Sequence, residues 1–176
     1  MFLTSYPLRI AATLSVAAAA FLCAIAAFAD EQSLEQRVQQ AEDVREINNL
    51  VIDYGLFLDR KDFESYSGLF ARDGTWSGGT TNFVPVKGIA AIRDTMERAF
   101  AERVYNPELI TNVHVVTNIR IDVDGDRATG YSKYSVLTRN DEDQPYIRVH
   151  GHYDDTYIRE DGRWKFLSRV ATRDIP

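Results

Sequence analysis

The chain has 176 residues, which is enough for one domain with a sizeable core. Its 26 acidic side chains outnumber its 20 basic ones, which gives a formal net charge of −6 and makes the protein a poor candidate for nucleic-acid binding. Cys23 is the only cysteine and lies in an apolar N-terminal stretch, so the remainder of the chain can form no disulfide and offers no thiol nucleophile.

The N-terminal stretch has the pattern of a secretory signal peptide. Residues 1–29 contain one charged side chain, Arg9, and an Ala-rich apolar run that ends in a small-x-small processing site at residues 27–29. We expect cleavage before Asp30 and an exported, periplasmic protein with a single domain over residues 30–176, which makes no contact with the membrane. The alternative is an uncleaved membrane anchor, because the run is close to the ~20 residues that span a bilayer.

A long amphipathic helix is predicted to open the domain. Ser33 and Gln36 form a capping box, in which each side chain can hydrogen-bond to the backbone of the other residue. The polar run at residues 60–62 predicts that the helix ends near Asp59. Between these limits, apolar side chains recur at helical spacing, at Val38, Val44, Ile47, Leu50, Val51, Tyr54 and Leu58.

Two shorter helices are predicted to follow. Asp62 is a suitable N-cap for the first, and Asp73-Gly74 is expected to end it. Its apolar side consists of Phe63, Tyr66, Leu69 and Phe70. The second begins after Gly88 and is closed by Asn106-Pro107. One of its sides carries Ile89, Ile92, Met96, Ala99 and Phe100.

The rest of the domain is predicted to be antiparallel sheet. It is rich in Val, Ile, Thr and Tyr, and Asp124-Gly125 and Asp161-Gly162 are hairpin signals. Strands are expected over residues 119–123, 128–137, 146–158 and 164–171. Three helices followed by long strands predict an α+β fold. Since long strands with one buried face tend to curl, we expect the helices to close the concave side and to leave a pocket between helix and sheet.

Alternation along residues 146–158 assigns the two faces of that strand. The apolar face is expected to point inward and carries Ile147, Val149, Gly151, Tyr153, Asp155 and Tyr157. The opposite face carries Arg148, His150, His152 and Asp154. The last three side chains share a face and offer a possible metal site. However, position 156 is Thr156 rather than a carboxylate, so a solvated or interfacial face is preferred and no metal is predicted.

Three side chains carry the candidate chemistry. Tyr54 lies on the apolar stripe of the first helix, Asp59 lies at its end, and His114 falls in the β-rich region. A phenol, a carboxylate and an imidazole around an aromatic-lined cavity are the groups needed to move a proton next to a carbonyl. The alternatives are a core aromatic for Tyr54, a turn or cap residue for Asp59, and a buried histidine satisfied by backbone for His114.

Five stretches of the domain form a recognisable set. They are Glu46-Ile47 through Leu58-Asp59, Tyr66-x-x-Leu69-Phe70-Ala71-x-Asp73-Gly74, His114-x-x-x-Asn118, Gly151-x-Tyr153-x-Asp155 and Asp161-Gly162-x-Trp164. The set resembles the SnoaL-like branch of the nuclear transport factor 2-like superfamily. That resemblance implies a cone-shaped, strongly curved mixed or antiparallel sheet, with three N-terminal helices closing a pocket, and a homodimer or homotrimer.

Within that superfamily the chain is most similar to scytalone dehydratase and bile-acid dehydratase. The resemblance places Asp59 and His114 at the aspartate and histidine of those families. It also places Tyr54 at the catalytic tyrosine of the bile-acid enzyme and Arg169 at a pocket arginine. Leu58 departs from the pattern, because scytalone dehydratase has a tyrosine at this position. The departure implies that the substrate differs, rather than the type of reaction.

The predicted function is that of a dehydratase-type lyase or isomerase that acts, without a cofactor, on a small apolar cyclic carbonyl compound. His114 is the predicted base, Asp59 orients its ring, and Tyr54 donates to the enolate oxygen or the leaving hydroxyl. Substrate-binding side chains are expected at Trp76, Asn118, Tyr134, Tyr153, Asp155 and Arg169. For Asp155, a role as partner of Tyr54 or Arg169 is an equal alternative. The alternative function is non-catalytic binding of a hydrophobic small molecule in the same pocket.

Overall fold

The computed structural model describes residues 32–101, 112–140 and 142–175. The chain divides into two compact units, Met1–Gln39 and Gln40–Pro176, and nearly all described elements belong to the second. The predicted signal segment over residues 1–29 and the helix closure at Asn106-Pro107 lie outside the described residues. Within the described ranges, every helix is too short or too polar to span a lipid bilayer.

The first helix, α1, spans Leu34–Arg60 and begins with the predicted capping box. The backbone N–H of Gln36 donates to Ser33 Oγ at 3.2 Å, and the backbone N–H of Ser33 donates to Gln36 Oε1 at 2.9 Å. The helix ends one residue after Asp59, as predicted. Val38 departs from the predicted apolar stripe because it is exposed. The buried face consists of Asp43, Ile47, Leu50, Val51, Tyr54, Gly55 and Leu58.

Helices α2, Phe63–Ser67, and α3, Ile89–Ala101, follow in the predicted order. Asp62 caps α2 as predicted, since its Oδ1 accepts the backbone N–H of Ser65 at 3.0 Å. Gly88, which precedes α3, has a φ of 89°, a value that glycine adopts without strain. The fully buried side chains of α3 are Ile92 and Met96.

Six strands form one mixed, curled sheet in the order β2-β1-β6-β5-β4-β3. They are β1 Phe70–Ser77, β2 Val86–Lys87, β3 Val113–Asp124, β4 Arg127–Arg139, β5 Pro145–Glu160 and β6 Arg163–Arg173. The pairing of β1 with β6 is parallel, and all other neighbouring pairs are antiparallel. The α+β prediction is therefore confirmed, with the sheet curled but not closed into a barrel.

Both predicted hairpins are present. Gly125 turns β3 into β4 with a φ of 57°. Asp161 and Gly162 turn β5 into β6 with φ values of 52° and 76°. Two successive residues with positive φ are typical of the tight turns whose twist matches that of the flanking strands.

Asp73-Gly74 does not end a helix, contrary to the prediction, but lies inside β1. The helix α2 is correspondingly shorter than predicted. A Cβ at Gly74 would lie 2.9 Å from the carbonyl oxygens of both Ala71 and Phe166. The glycine is therefore required by close backbone approach at an irregular point of the strand rather than by a turn.

The predicted alternation of β5 is wrong at Arg148, because the strand contains a β-bulge there. Val136 pairs with Val149, whereas Leu137 pairs with Ile147, so β5 has one residue more than β4 over this interval. A bulge reverses the alternation on one side of it. Ile147, predicted to point inward, is 60% exposed. Beyond the bulge the prediction holds, with buried Gly151, Tyr153, Asp155 and Tyr157.

Polar contacts hold α1 against the hairpin of β5 and β6. Asp43 Oδ1 accepts from Arg159 Nη2 at 2.7 Å and from the indole N–H of Trp164 at 3.2 Å. The backbone N–H of Trp164 donates to Glu46 Oε1 at 3.0 Å. These contacts fix the helix across the concave face of the sheet. The core between them includes Ile47, Val51, Tyr66, Ile92, Tyr157 and Phe166.

Candidate active site

Asp59 and His114 form a hydrogen-bonded pair that joins the end of α1 to β3. The backbone N–H of His114 donates to Asp59 Oδ2 at 2.8 Å, and ring Nδ1 lies 2.5 Å from Asp59 Oδ1. An ionised carboxylate can only accept, so Nδ1 carries the proton and Nε2 is the unprotonated nitrogen of the neutral ring. The side chains of His114 and Asp59 are only 9% and 12% exposed. The pair therefore holds an imidazole base in one tautomer and orientation.

Gly55 allows the helix to approach His114 closely. A Cβ added at Gly55 would lie 3.1 Å from the Cβ of His114. Gly55 and Asp59 are four residues apart and therefore lie on the same face of α1. The glycine brings the backbone of the helix to the histidine, and the aspartate one turn later binds it.

Tyr54 is buried, and Trp76 fixes its hydroxyl. The indole N–H of Trp76 donates to the Tyr54 oxygen at 3.0 Å. Because an indole N–H is a donor only, the Tyr54 oxygen is the acceptor and its own proton is left for another partner. The ring of Tyr54 is also held by aromatic contacts, with ring centroids 5.0 Å from Tyr66 and 5.5 Å from Tyr153.

A cavity of about 130 Å³ lies next to these groups. Its walls include Tyr54 and His114, two of the three predicted catalytic residues, while Asp59 lies behind His114. An apolar cavity of ~150 Å³ can hold one benzene ring, so this cavity is close to the size of one six-membered ring. The other predicted binding residues in its lining are Trp76, Tyr134 and Tyr153.

Two tyrosines form one wall of the cavity. The rings of Tyr134 and Tyr153 stack at 4.3 Å with an interplanar angle of 16°. Gly151, which faces Tyr134 across the strands, makes this possible, because a Cβ there would lie 2.9 Å from Tyr134 Cε1. Burial raises the pKa of Tyr134 to about 12, and it raises the pKa of Tyr153 well above its ordinary value. Both phenols are therefore neutral hydrogen-bond donors near neutral pH.

Asp155 and Arg169, two predicted binding residues, pair with each other behind the aromatic wall. Arg169 Nε and Nη2 donate to the two carboxylate oxygens of Asp155 at 2.8 and 2.7 Å, and both side chains are almost fully buried. Burial alone would lower the pKa of Arg169, but the charge and hydrogen bonds of Asp155 raise it above its ordinary value. The guanidinium carbon lies 4.1 Å from the centroids of the Tyr54 and Tyr153 rings. Asp155 is therefore placed as the partner of Arg169, which was the alternative prediction for this residue. The pair lies behind the aromatic wall and supports it.

The last predicted binding residue, Asn118, is placed away from the cavity. It is exposed and has a φ of 52°, at the point where the register between β3 and β4 shifts. It is not among the described residues that line the cavity. The conformation at Asn118 belongs to a bulge, where asparagine tolerates positive φ better than most residues do.

The histidines of the outer sheet face have partners other than a metal. Nδ1 of His150 lies 2.9 Å from Ser135 Oγ, and the ring of His152 stacks on Tyr131. His152 also pairs with Asp174. Within the part of the chain that the structure describes, no group of three His, Cys, Asp or Glu side chains is placed to hold a metal ion.

Sequence reasoning missed several residues of the site. Gly55 could have been found from the sequence, because it is a glycine inside a predicted helix, four residues before Asp59. Met96 lines the cavity from α3. Arg148 and Arg173 also line the cavity. The bulge in β5 that places Arg148 there has no local sequence signature.

The sequence matches the profile of the SnoaL-like domain over residues 39–170. The chain belongs to the SnoaL-like domain family. This confirms the resemblance on which the fold prediction depended, and it accounts for the curled sheet with helices on its concave side. Among curated proteins, none matches the sequence of this SnoaL-like protein.

Solved structures with the same fold include three bacterial proteins. A variant of a Mycobacterium tuberculosis protein of unknown function is 27% identical, with a TM-score of 0.66 over 78% of this chain and 75% of its own. A candidate scytalone dehydratase from Novosphingobium aromaticivorans is 25% identical, with a TM-score of 0.64 over 77% of this chain and 87% of its own. An NTF2-like protein with a cystatin-like fold from the same species is 24% identical, with a TM-score of 0.68 over 81% and 91%, respectively.

Proposed function

We propose that this SnoaL-like protein is a dehydratase-type lyase or isomerase that acts on a small cyclic carbonyl compound. The observation that carries the proposal is the Asp59–His114 pair in the wall of a cavity the size of one ring. The likeness to a candidate scytalone dehydratase supports the same class of reaction.

The first step is removal of a proton from the carbon next to the carbonyl. His114 Nε2 takes the proton, and Asp59 stabilises the imidazolium that forms. The electron pair of the broken C–H bond moves to the carbonyl oxygen, where the Tyr54 hydroxyl donates a hydrogen bond to the developing enolate. Trp76 supports this role, because its N–H orients the Tyr54 oxygen and leaves the phenol proton to donate.

The second step separates the two reaction types. In an elimination, the enolate electrons return, the bond from the β-carbon to its hydroxyl breaks, and the imidazolium of His114 gives its proton to the departing oxygen to form water. In an isomerisation of a β,γ-unsaturated ketone, the electrons of the dienolate return, the imidazolium gives the same proton to the γ-carbon, and the double bond moves next to the carbonyl group. Neither route requires a cofactor, and both leave His114 neutral for the next turnover.

The test is turnover of cyclic β-hydroxy ketones, followed by the ultraviolet absorbance of the unsaturated ketone. We expect His114→Ala to lower turnover by about 10²-fold or more while the domain stays folded. His150→Ala is the matched control, since His150 lies on the outer face of the sheet and is expected to leave turnover unchanged. Full activity in a folded His114→Ala variant would remove the mechanism.

The aromatic lining also favours a second candidate, a non-catalytic protein that holds a hydrophobic small molecule. In that case native mass spectrometry of the purified protein would show a bound ligand, and no compound of the panel would be turned over. We also propose that the protein is exported, which is tested by whether the N-terminus of the exported protein is Asp30. We further propose a homodimer or homotrimer, which light scattering would test.

A further inference from the structure

The lining of the cavity is positively charged although the protein is acidic. The whole chain has a formal net charge of −6. Among the described residues that line the cavity there are two arginines, Arg148 and Arg173, and no aspartate or glutamate. Asp59 lies behind His114 and accepts two hydrogen bonds from it. The local charge is thus opposite to the charge of the protein as a whole.

Two different features of the fold bring the arginines to the cavity. Arg148 is the extra residue of the β5 bulge, which turns it away from the outer face assigned by simple alternation. Arg173 lies near the end of β6, directly opposite Gly151. A Cβ at Gly151 would meet the carbonyl oxygen of Thr172 and the ring of Tyr134, so the glycine lets the end of β6, where Arg173 lies, and Tyr134 pack closely against β5.

Both guanidinium groups act on the same phenol. Burial raises the pKa of Tyr134, Tyr54 and the charge of Asp174 add to that rise, and the charges of Arg173 and Arg148 oppose it. Tyr134 in turn stacks on Tyr153, whose ring contacts Tyr54. The two cations and the proposed catalytic groups therefore lie around one hollow.

We propose that Arg148 and Arg173 bind a carboxylate, so that the substrate is a single-ring carbonyl compound with a carboxylate substituent. The carbonyl part of this assignment rests on the proposed function, whereas the carboxylate part rests on the arginines alone. A guanidinium binds a carboxylate through paired, charge-assisted hydrogen bonds that fix its orientation. The anionic end would thus set which ring carbon faces His114.

The test compares benzoate with benzamide, which have nearly the same shape and differ in charge. Calorimetric titration of the full-length protein should show benzoate binding at least about tenfold more tightly than benzamide, and higher salt should reduce that preference. Arg148→Gln and Arg173→Gln should each weaken the preference, and the double variant should abolish it. Arg120→Gln is the matched control, because Arg120 is an exposed arginine of β3 that does not line the cavity.

The outcomes separate this inference from the proposed function. Equal affinities for benzoate and benzamide in the unchanged protein, or a preference that survives in the folded double variant, would overturn it. His114→Ala should keep the preference for benzoate, because the histidine acts on the carbonyl part. If no carbonyl compound is turned over but the arginine-dependent preference is found, the proposed function fails and the carboxylate site stands. If a neutral β-hydroxycyclohexanone has the same kcat/KM as its carboxylate analogue, the carboxylate site fails and the proposed function stands.

Discussion

Asp59→Asn changes the state of the proposed base while keeping the shape of the side chain. Asp59 accepts the backbone N–H and the ring Nδ1–H of His114, at 2.8 and 2.5 Å. An asparagine has one oxygen and one NH₂ group, so it can accept only one of these donors. With its oxygen on the backbone N–H, its NH₂ group faces Nδ1 and donates to it. The ring proton of His114 must then move to Nε2, the nitrogen that would take the proton of the substrate.

The expected loss of activity is much larger than the expected loss of stability. A nitrogen that already carries a proton is not a base, and loss of general-base catalysis costs about 10²- to 10⁴-fold in kcat. A hydrogen bond to a charged group contributes about 1.5–3 kcal/mol to stability. Since the Asp59 side chain is 12% exposed, we expect a loss of about 2 kcal/mol. For a domain of this size that lowers Tm by about 4–8 °C.

Two measurements check this prediction. The first is kcat on a cyclic β-hydroxy ketone, with Asp94→Asn on the exposed surface of α3 as control. The second is an NMR spectrum that correlates the ring protons of His114 with its two nitrogens, assigned by comparison with His114→Ala. We expect the proton on Nδ1 in the unchanged protein and on Nε2 in Asp59→Asn. A folded Asp59→Asn variant with unchanged kcat, or with Nδ1 still protonated, would refute the reasoning.

Three further predictions concern the surroundings of the pair. Gly55→Ala should lower turnover about tenfold, because the new Cβ would lie 3.1 Å from the Cβ of His114 and displace the histidine. It should not lower Tm, because alanine favours a helix over glycine by about 1 kcal/mol. Asp155→Ala and Arg169→Ala should each lower the free energy of unfolding by about 3–5 kcal/mol, and the double variant should lose less than their sum. Tyr134 should ionise near its pKa of about 12. Because this pKa is raised on folding, its contribution to stability is complete below pH ~10 and falls by about 1.4 kcal/mol per pH unit as the pH rises towards 12.

Each of these predictions has a contradicting result. Wild-type turnover in Gly55→Ala would show that the close approach does not position His114. Additive losses for Asp155→Ala and Arg169→Ala in urea unfolding would show that the two side chains do not depend on each other. The ionisation of Tyr134 is measured by tyrosinate absorbance as a function of pH. Subtracting the curve of Tyr134→Phe from that of the unchanged protein isolates the titration of this one side chain. A midpoint near pH ~10, the ordinary tyrosine value, would contradict the burial of its hydroxyl.

Local interactions made much of the fold predictable. The capping box at Ser33 and the cap at Asp62 involve residues three positions apart, so the sequence pattern contains both partners. The hairpins at Asp124-Gly125 and Asp161-Gly162 depend likewise on the turn residues themselves. In contrast, Gly74 was misread because the atoms that demand a glycine there include a carbonyl oxygen of Phe166, which is distant in the sequence.

The residues of the site were predictable where the family resemblance gave their positions in the sequence, and they were harder to predict elsewhere. Asp59 and His114 are 55 residues apart, and no local pattern joins them. Tyr54 and Tyr153 could be assigned from helical spacing and strand alternation. Arg148 could not, because one inserted residue in β5 reverses the alternation and the register that reveals it requires the partner strand. The same insertion adds one of the two arginines to a cavity lining that was expected to be largely apolar.

The central claim is that His114 removes a proton from a ketone bound in the cavity. Incorporation of deuterium next to the carbonyl, followed by NMR in deuterium oxide, measures that step without requiring the complete reaction. With a cyclic ketone that carries a carboxylate, the unchanged protein should accelerate exchange, and His114→Ala should lower the rate by about 10²-fold or more. Exchange at the wild-type rate in a folded His114→Ala variant would contradict the account.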